Sequence, residues 1–177
     1  MYPSLKRMAS AAVCLALCMV LPFLTGQIPR IGSMLAPMHI PVLLAGFLCG
    51  PWWGLAVGLI APPLRFAIFG MPPFPAYLDM ALELGTYGLV CGGLYRHLPK
   101  KTSCLYGALI GAMLAGRLVW GAAMVVIMGL KGNAFGWSAF VSGAFVNALP
   151  GIVVQIVLIP ALVLALRNAG YFRNGNR

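Results

Sequence analysis

The sequence predicts an all-α membrane protein: a bundle of six transmembrane helices with both termini in the cytoplasm. Three observations carry that expectation. Of 177 residues, 62% are hydrophobic and only 8% charged, against about 25% charged in an average soluble domain. Too little charge is left to cover a water-facing surface. Disorder, which needs few apolar residues and many charges, is excluded on the same ground. The apolar residues fall into six runs joined by short Gly- and Pro-bearing connections, as in a polytopic chain. The basic residues cluster beside particular runs, as the positive-inside rule requires.

The first run covers about 8–24 and follows Lys6 and Arg7. That order resembles the start of a signal peptide, but the run ends Pro22-Phe23-Leu24-Thr25-Gly26 without a clean small-x-small site, so it reads as a retained span. The second, 39–49, stops at Gly50-Pro51. It is shorter than the roughly 20 residues of a straight crossing, so it is expected to be thin, tilted or partly buried. The third, 52–69, holds Pro62-Pro63 and is expected to kink there. The fourth, 78–95, the fifth, 105–129, and the sixth, 139–167, complete a single integral membrane domain over residues 1–177.

With six crossings, Lys6, Arg7, Arg96, Lys100, Lys101, Arg167, Arg173 and Arg177 all fall on one side, opposed only by Arg30 and Lys131. A five-crossing chain would separate the C-terminal arginines from the N-terminal pair, so charge favours six and places both ends inside. The net charge of +10 then reflects loops beside spans, with no basic stripe for nucleic acid. The external connections at Gly26–Pro37, Gly70–Pro75 and Gly129–Gly136 are the longer ones. Such loops suit a lid over an outward-facing pocket, or simply connect the spans.

Several chemistries lack their residues. Five cysteines, with no Cys-x-x-Cys pair, read as small packing residues rather than disulfides or a zinc site. Two distant histidines, His39 and His97, give no metal centre, and no cofactor is implied. A phosphate-binding glycine loop is missing, so ATP would be hydrolysed elsewhere. One aspartate cannot form an aspartyl dyad, and neither Ser138 nor Ser142 has the glycine-framed setting of an intramembrane serine protease. The chain is expected not to be an enzyme.

The informative residues are the polar ones inside the runs. The only acids, Asp79 and Glu83, lie four apart and so share a helix face, continued by Tyr87. Ionisable groups at such depth line a cavity or pair with one another. Arg65 falls past the double proline of the third run and Arg117 near the middle of the fifth. In one wiring Arg65 pairs with Asp79, while Arg117 faces Glu83 across a wet cavity that takes a ligand. In the other, both pairs close and are only structural. Asn147, Gly151 and Gln155 repeat every four residues in the sixth run and are expected to share a face. Trp120, one turn from Arg117, would supply an apolar wall; Trp52, Trp53 and Trp137 read as interface anchors. His39 serves equally as a cap, a loop anchor or a ligand contact. The substrate-binding candidates are Arg65, Asp79, Glu83, Tyr87, Arg117, Trp120, Asn147 and Gln155. Small residues repeat every four positions at Ala12 and Ala16, and at Gly107, Gly111 and Ala115 beside Ala108, Ala112 and Gly116. Such faces permit close helix approach: within the bundle for the fifth run, and toward another subunit for the first.

The string Pro37-Met38-His39-Ile40-Pro41-Val42-Leu43-Leu44-Ala45-Gly46, then Gly50-Pro51-Trp52-Trp53-Gly54-Leu55, Pro63-Leu64-Arg65, Gly70-Met71-Pro72-Pro73 and Glu83-Leu84-Gly85-Thr86-Tyr87-Gly88, resembles the substrate-binding S component of energy-coupling factor (ECF) vitamin transporters. The likeness spans about 8–167. It implies a six-helix subunit of a bacterial plasma membrane that binds a vitamin or vitamin precursor from outside. It also implies a transmembrane coupling subunit and two ATPases as partners, and toppling of the subunit to deliver its ligand inward. An Ala-x-x-x-Ala step on the first helix contacts the coupling subunit in that family, and Ala12 and Ala16 match it here. The ligand of such proteins sits on the outer side, among the first external loop and helices four to six. Within the family the string suggests the pantothenate-type branch. Pyridoxine, a hydroxymethylpyrimidine or a queuosine precursor would use similar groups. A self-sufficient secondary transporter would need repeated halves, which the runs do not display, and a structural assembly protein would use the acids only as ion pairs.

Overall fold

The computed structural model describes residues 3–25, 36–99, 101–132 and 136–171. Arg30, Lys100, Asn133, Arg173 and Arg177, and most of the first external connection, lie outside the described residues. Every regular element among the described residues is helical. α1 (Pro3–Val20) ends in a 3₁₀ turn, Leu21–Thr25. α2 (His39–Cys49), α3 (Pro51–Phe69), α4 (Ala76–His97) and α5 (Thr102–Leu130) follow. α6 (Trp137–Val141) leads through a π turn, Ser142–Val146, to α7 (Leu149–Asn168).

Four helical stretches are long and apolar enough to cross a membrane: Leu5–Leu24, Pro51–Phe69, Thr102–Leu130 and Leu149–Asn168. Their outward side chains, such as Val13, Leu17, Ile60, Leu118, Val126 and Val157, are exposed, a surface suited to lipid and not to water. α4, at 22 residues, would reach roughly 33 Å at 1.5 Å per residue, but Asp79, Glu83, Arg96 and His97 lower its hydropathy. α4 lies at the centre, packed on α2, α3 and α5.

The short second helix owes its place to burial. His39, Pro41–Phe47 and Cys49 are all buried, so α2 is walled by protein on nearly every side and need not match the bilayer thickness. Gly50, at φ 101° and ψ 176°, is the single joint between α2 and α3, a conformation open to glycine and strained for other residues. α2, α3 and α4 meet at glycines. A methyl on Gly88 would strike the Gly54 backbone, one on Gly58 the Leu84 backbone, and one on Gly92 the Pro51 nitrogen at 2.7 Å.

α3 stays helical through Pro62 and Pro63, and the carbonyls left without a proline N–H do not end it. One expectation is corrected. The sixth run is not one helix. Pro150 lacks an N–H and crowds the carbonyl four residues back, and just before it the chain widens, with Asn147 N–H bonding to the Ser142 carbonyl at 2.9 Å. On α5 the buried face is Ala108, Ala112 and Gly116, while Gly107 is exposed and a methyl there would meet nothing within 4 Å. The cysteines are free, with Cys14, Cys18, Cys49 and Cys91 buried as packing residues.

At one end of the bundle α1 is tied to the residues after α7. Lys6 Nζ donates to the Tyr171 carbonyl at 2.9 Å, and the Ser10 and Tyr171 hydroxyls share a hydrogen bond. The two ends of the described chain therefore lie on the same side of the bundle. Ala11, Cys14 and Cys18 face the core, leaving Ala12 and Ala16 exposed on the opposite face of α1.

Candidate functional site

α4 and α5 cross antiparallel and meet in three rungs. Asp79, Glu83 and Tyr87, one turn apart on α4, oppose Trp120, Arg117 and Gly116 on α5. In the outer rung Trp120 Nε1 donates to Asp79 Oδ2 at 3.1 Å, and the Met80 N–H donates to Oδ1 at 2.8 Å. In the middle rung Arg117 Nη1 meets Glu83 Oε1 at 2.9 Å. In the inner rung the Tyr87 ring lies where a methyl on Gly116 would be, and its hydroxyl donates back to Glu83 Oε1 at 3.0 Å.

α2 closes the cluster from the side. His39 Nε2 stands 3.5 Å from the same Glu83 Oε1, and its ring packs edge-on to Tyr87 at 5.1 Å. Glu83 is only 3% exposed. One carboxylate oxygen thus faces a guanidinium, a phenol and an imidazole in a low-dielectric interior, where each contact gains strength and each gap becomes costly. The gaps are specific: both ring nitrogens of His39, Arg117 Nε and both polar atoms of the Gln155 amide are buried without a hydrogen-bond partner. Buried polar groups are nearly always paired with protein or water, so each of these atoms has capacity for a further hydrogen bond.

An aromatic shelf continues outward from Asp79. Trp120 stacks on Phe140 at 6.3 Å and Phe140 contacts Trp137 at 5.3 Å. Missing side chains make room for it: a methyl on Gly143 would sit 2.6 Å from the Trp120 ring, and one on Gly121 would strike Phe140. Trp137 and Phe140 line an open apolar cavity of about 260 Å³ with Leu118 and Val125. A second, of about 140 Å³, lies between α5 and α7 against Arg117, Phe145 and Ile156. The two carboxylates line neither; they are closed within the helix crossing.

Of the candidates read from sequence, Asp79, Glu83, Tyr87, Arg117 and Trp120 come together. Arg65 does not join them. Its Nη1 donates to the Met19 carbonyl at 2.6 Å, and its guanidinium lies over Phe23 and Phe69 at 5.2 and 5.1 Å, so it ties α3 to α1 and forms no pair with Asp79. The wet gap expected between Arg117 and Glu83 is a direct contact. Asn147 is exposed at the helix break while Gly151 and Gln155 are buried, so the three do not share one face. His39 is more central than its sequence suggested. The signal was its place opening a run that is buried all round. Phe140, Gly121 and Gly143 carried no signal, since only the crossing with Trp120 gives them meaning. Among the described residues no group of three or more His, Cys, Asp and Glu could hold a metal.

Residues 6–163 match the family model described as "ECF transporter, substrate-specific component". The chain belongs to this family. No curated protein and no solved structure gives a significant match. The assignment makes it a membrane-embedded, substrate-specific subunit of an ECF transporter, a transport component and not a catalytic one. It implies a small-molecule substrate and association with a coupling subunit and ATPases. The family model covers most of α1, all of α2 to α6 and most of α7, so both helices of the rung ladder fall inside the matched region.

Proposed function

We propose that this subunit captures a vitamin or vitamin precursor from outside the cell at the α4–α5 ladder and delivers it inward with the coupling subunit and two ATPases. In this reading the chain crosses a bacterial plasma membrane six times, α2 being a short protein-walled crossing, with both termini cytoplasmic. Ala12 and Ala16 form the exposed step that meets the coupling subunit. The observation that carries the reading is the Glu83 cluster, an ion pair roughly 10 Å inside α4, counted at 1.5 Å per residue, with orphaned polar groups on His39, Arg117 and Gln155 around it.

Pantothenate, the ligand suggested by the sequence resemblance, would bring its carboxylate to the Arg117 Nε edge. That edge lies beside Glu83 and within reach of Asp79's field, so two carboxylates would oppose the incoming one. The charge balance speaks against an anion.

The direct Glu83–Arg117 contact also supports a second reading, in which the pair is a structural clamp. The two readings part on Arg117 variants. Under the capture reading, Arg117→Lys weakens ligand retention although the charge remains, because a lysine lacks the planar fork. Arg117→Ala costs about 3–5 kcal/mol in stability, since it leaves Glu83 buried and alone, and Arg117→Ala with Glu83→Gln recovers folding but not retention. The measurement is mass spectrometry of the compound carried through purification in detergent, with thermal unfolding alongside. If Arg117→Ala carries its ligand like the parent and merely melts lower, the arginine is a clamp.

A further inference from the structure

The ladder is unbalanced in charge, and that imbalance selects among ligands. Asp79 and Glu83 are two carboxylates, and Arg117 is the cation that meets either of them among the described residues. With histidine counted neutral, the cluster keeps one formal negative charge. Asp79 accepts from two neutral donors, the Met80 and Trp120 N–H groups. Its place in the first turn of α4 adds at most about half a positive charge from the helix end. Arg65, the other cation of the outer half, is turned to α1.

The hydrogen-bonding inventory adds detail. His39 is 2% exposed as a residue, and both of its ring nitrogens are buried without a hydrogen-bond partner, leaving a donor and an acceptor on the neutral ring. Arg117 Nε is a buried donor without a partner. A complementary ligand therefore offers a polar group to the His39 ring, an acceptor to Arg117, and positive charge overall. Beside Asp79 the Trp120–Phe140–Trp137 shelf suits a flat ring, and a cation over such rings gains further attraction.

Resting on the capture reading above, we propose that the substrate is a positively charged nitrogen heterocycle, its ring on the Trp120–Phe140 shelf and its charge in the field of Asp79 and Glu83, which lie closed within the adjoining helix crossing. Carboxylate vitamins are rejected by the same charges that hold it. Pantothenate is thereby set aside in favour of a cationic ring.

The test loads the purified full-length protein, immobilised in detergent, with yeast extract, which supplies free vitamins and precursors of every charge. Retained compounds are released by heat, separated by ion exchange and identified by mass spectrometry. The expected result is a heterocyclic cation, retained about tenfold less by Asp79→Asn. Trp120→Leu, which leaves both acids in place, is expected to lower retention about three- to thirtyfold. Thermal unfolding checks that each variant is folded. A carboxylate or an uncharged compound in the retained fraction overturns the charge assignment and leaves the capture reading standing. A cation held equally by the parent and by both variants removes Asp79 and the shelf from the site. An empty retained fraction from folded parent protein overturns the capture reading, and this proposal with it.

Discussion

At the scale of single residues, Glu83 sets the terms for its neighbours. Three groups converge on its Oε1 (Arg117, Tyr87 and His39), so a change in one reaches the others through a shared atom. Tyr87→Phe removes one donor from a charged acceptor and is expected to cost about 1.5–3 kcal/mol. Gly116→Ala reaches the same atom from α5: its methyl would occupy the space of the Tyr87 ring, forcing it to shift, at an expected cost of about 1–3 kcal/mol. The two changes act through one contact, so their combination should cost less than their sum. Thermal unfolding of the two singles and the double in detergent measures this. Strict additivity would mean that Gly116 does not act through the Tyr87 hydroxyl and its bond to Glu83. The acid spacing was legible in the sequence because a shared helix face follows from counting residues. That Arg117, and not Arg65, meets Glu83 was not legible, because spacing along a helix does not say which neighbour stands opposite.

At the scale of elements, the α3–α4 crossing depends on absent side chains. Gly54 and Gly88 bring two backbones into contact, and Gly58 lies against the Leu84 carbonyl. Gly88→Ala must push rigid backbone apart and is expected to cost about 3 kcal/mol, the upper range of overpacking. Gly107→Ala on α5 meets open space and should be neutral or stabilise by up to about 1 kcal/mol through helix propensity. Apparent melting temperatures compare the two; equal losses would show that composition, and not contact, governs these glycines. Sequence repeats offered two adjacent stripes, Gly107, Gly111 and Ala115 beside Ala108, Ala112 and Gly116, and the buried one is the second. A four-residue period fits both stripes equally, and only the neighbour's position separates them. The sixth run misled for a related reason: its apolar composition is continuous, while the backbone is interrupted before Pro150.

At the scale of the whole molecule, two expectations concern how the bundle sits and docks. The hydrogen bonds from Lys6 and Ser10 to Tyr171 hold the start of α1 beside the end of α7, consistent with an even number of crossings. In a background with Cys104 replaced by Ser, Asn133→Cys is expected to react with an impermeant thiol reagent added outside intact cells, and Lys101→Cys is not. Labelling at 101 from outside would overturn the six-crossing topology. The exposed Ala12 and Ala16 lead to a different measurement. Replacing both by Trp is expected to abolish uptake in cells containing the coupling module, while ligand retention by the isolated subunit stays within about twofold, since neither side chain supports the core. Joint loss of uptake and retention would make that face part of the subunit's own packing.

The sequence by itself determined the class of solvent, the apolar runs and the common face of Asp79, Glu83 and Tyr87. Each of these depends on composition or on the fixed period of a helix, which are local properties. Tertiary structure decided the partners: Arg117 on Glu83, Arg65 on the Met19 carbonyl, His39 beside the acid, and α2 sealed within the bundle. Those outcomes depend on how helices rotate and cross. Rotation is set by where helices can approach closely, backbone on backbone at Gly54 and Gly88 and the Tyr87 ring on Gly116, and that is a property of pairs of helices rather than of any one run.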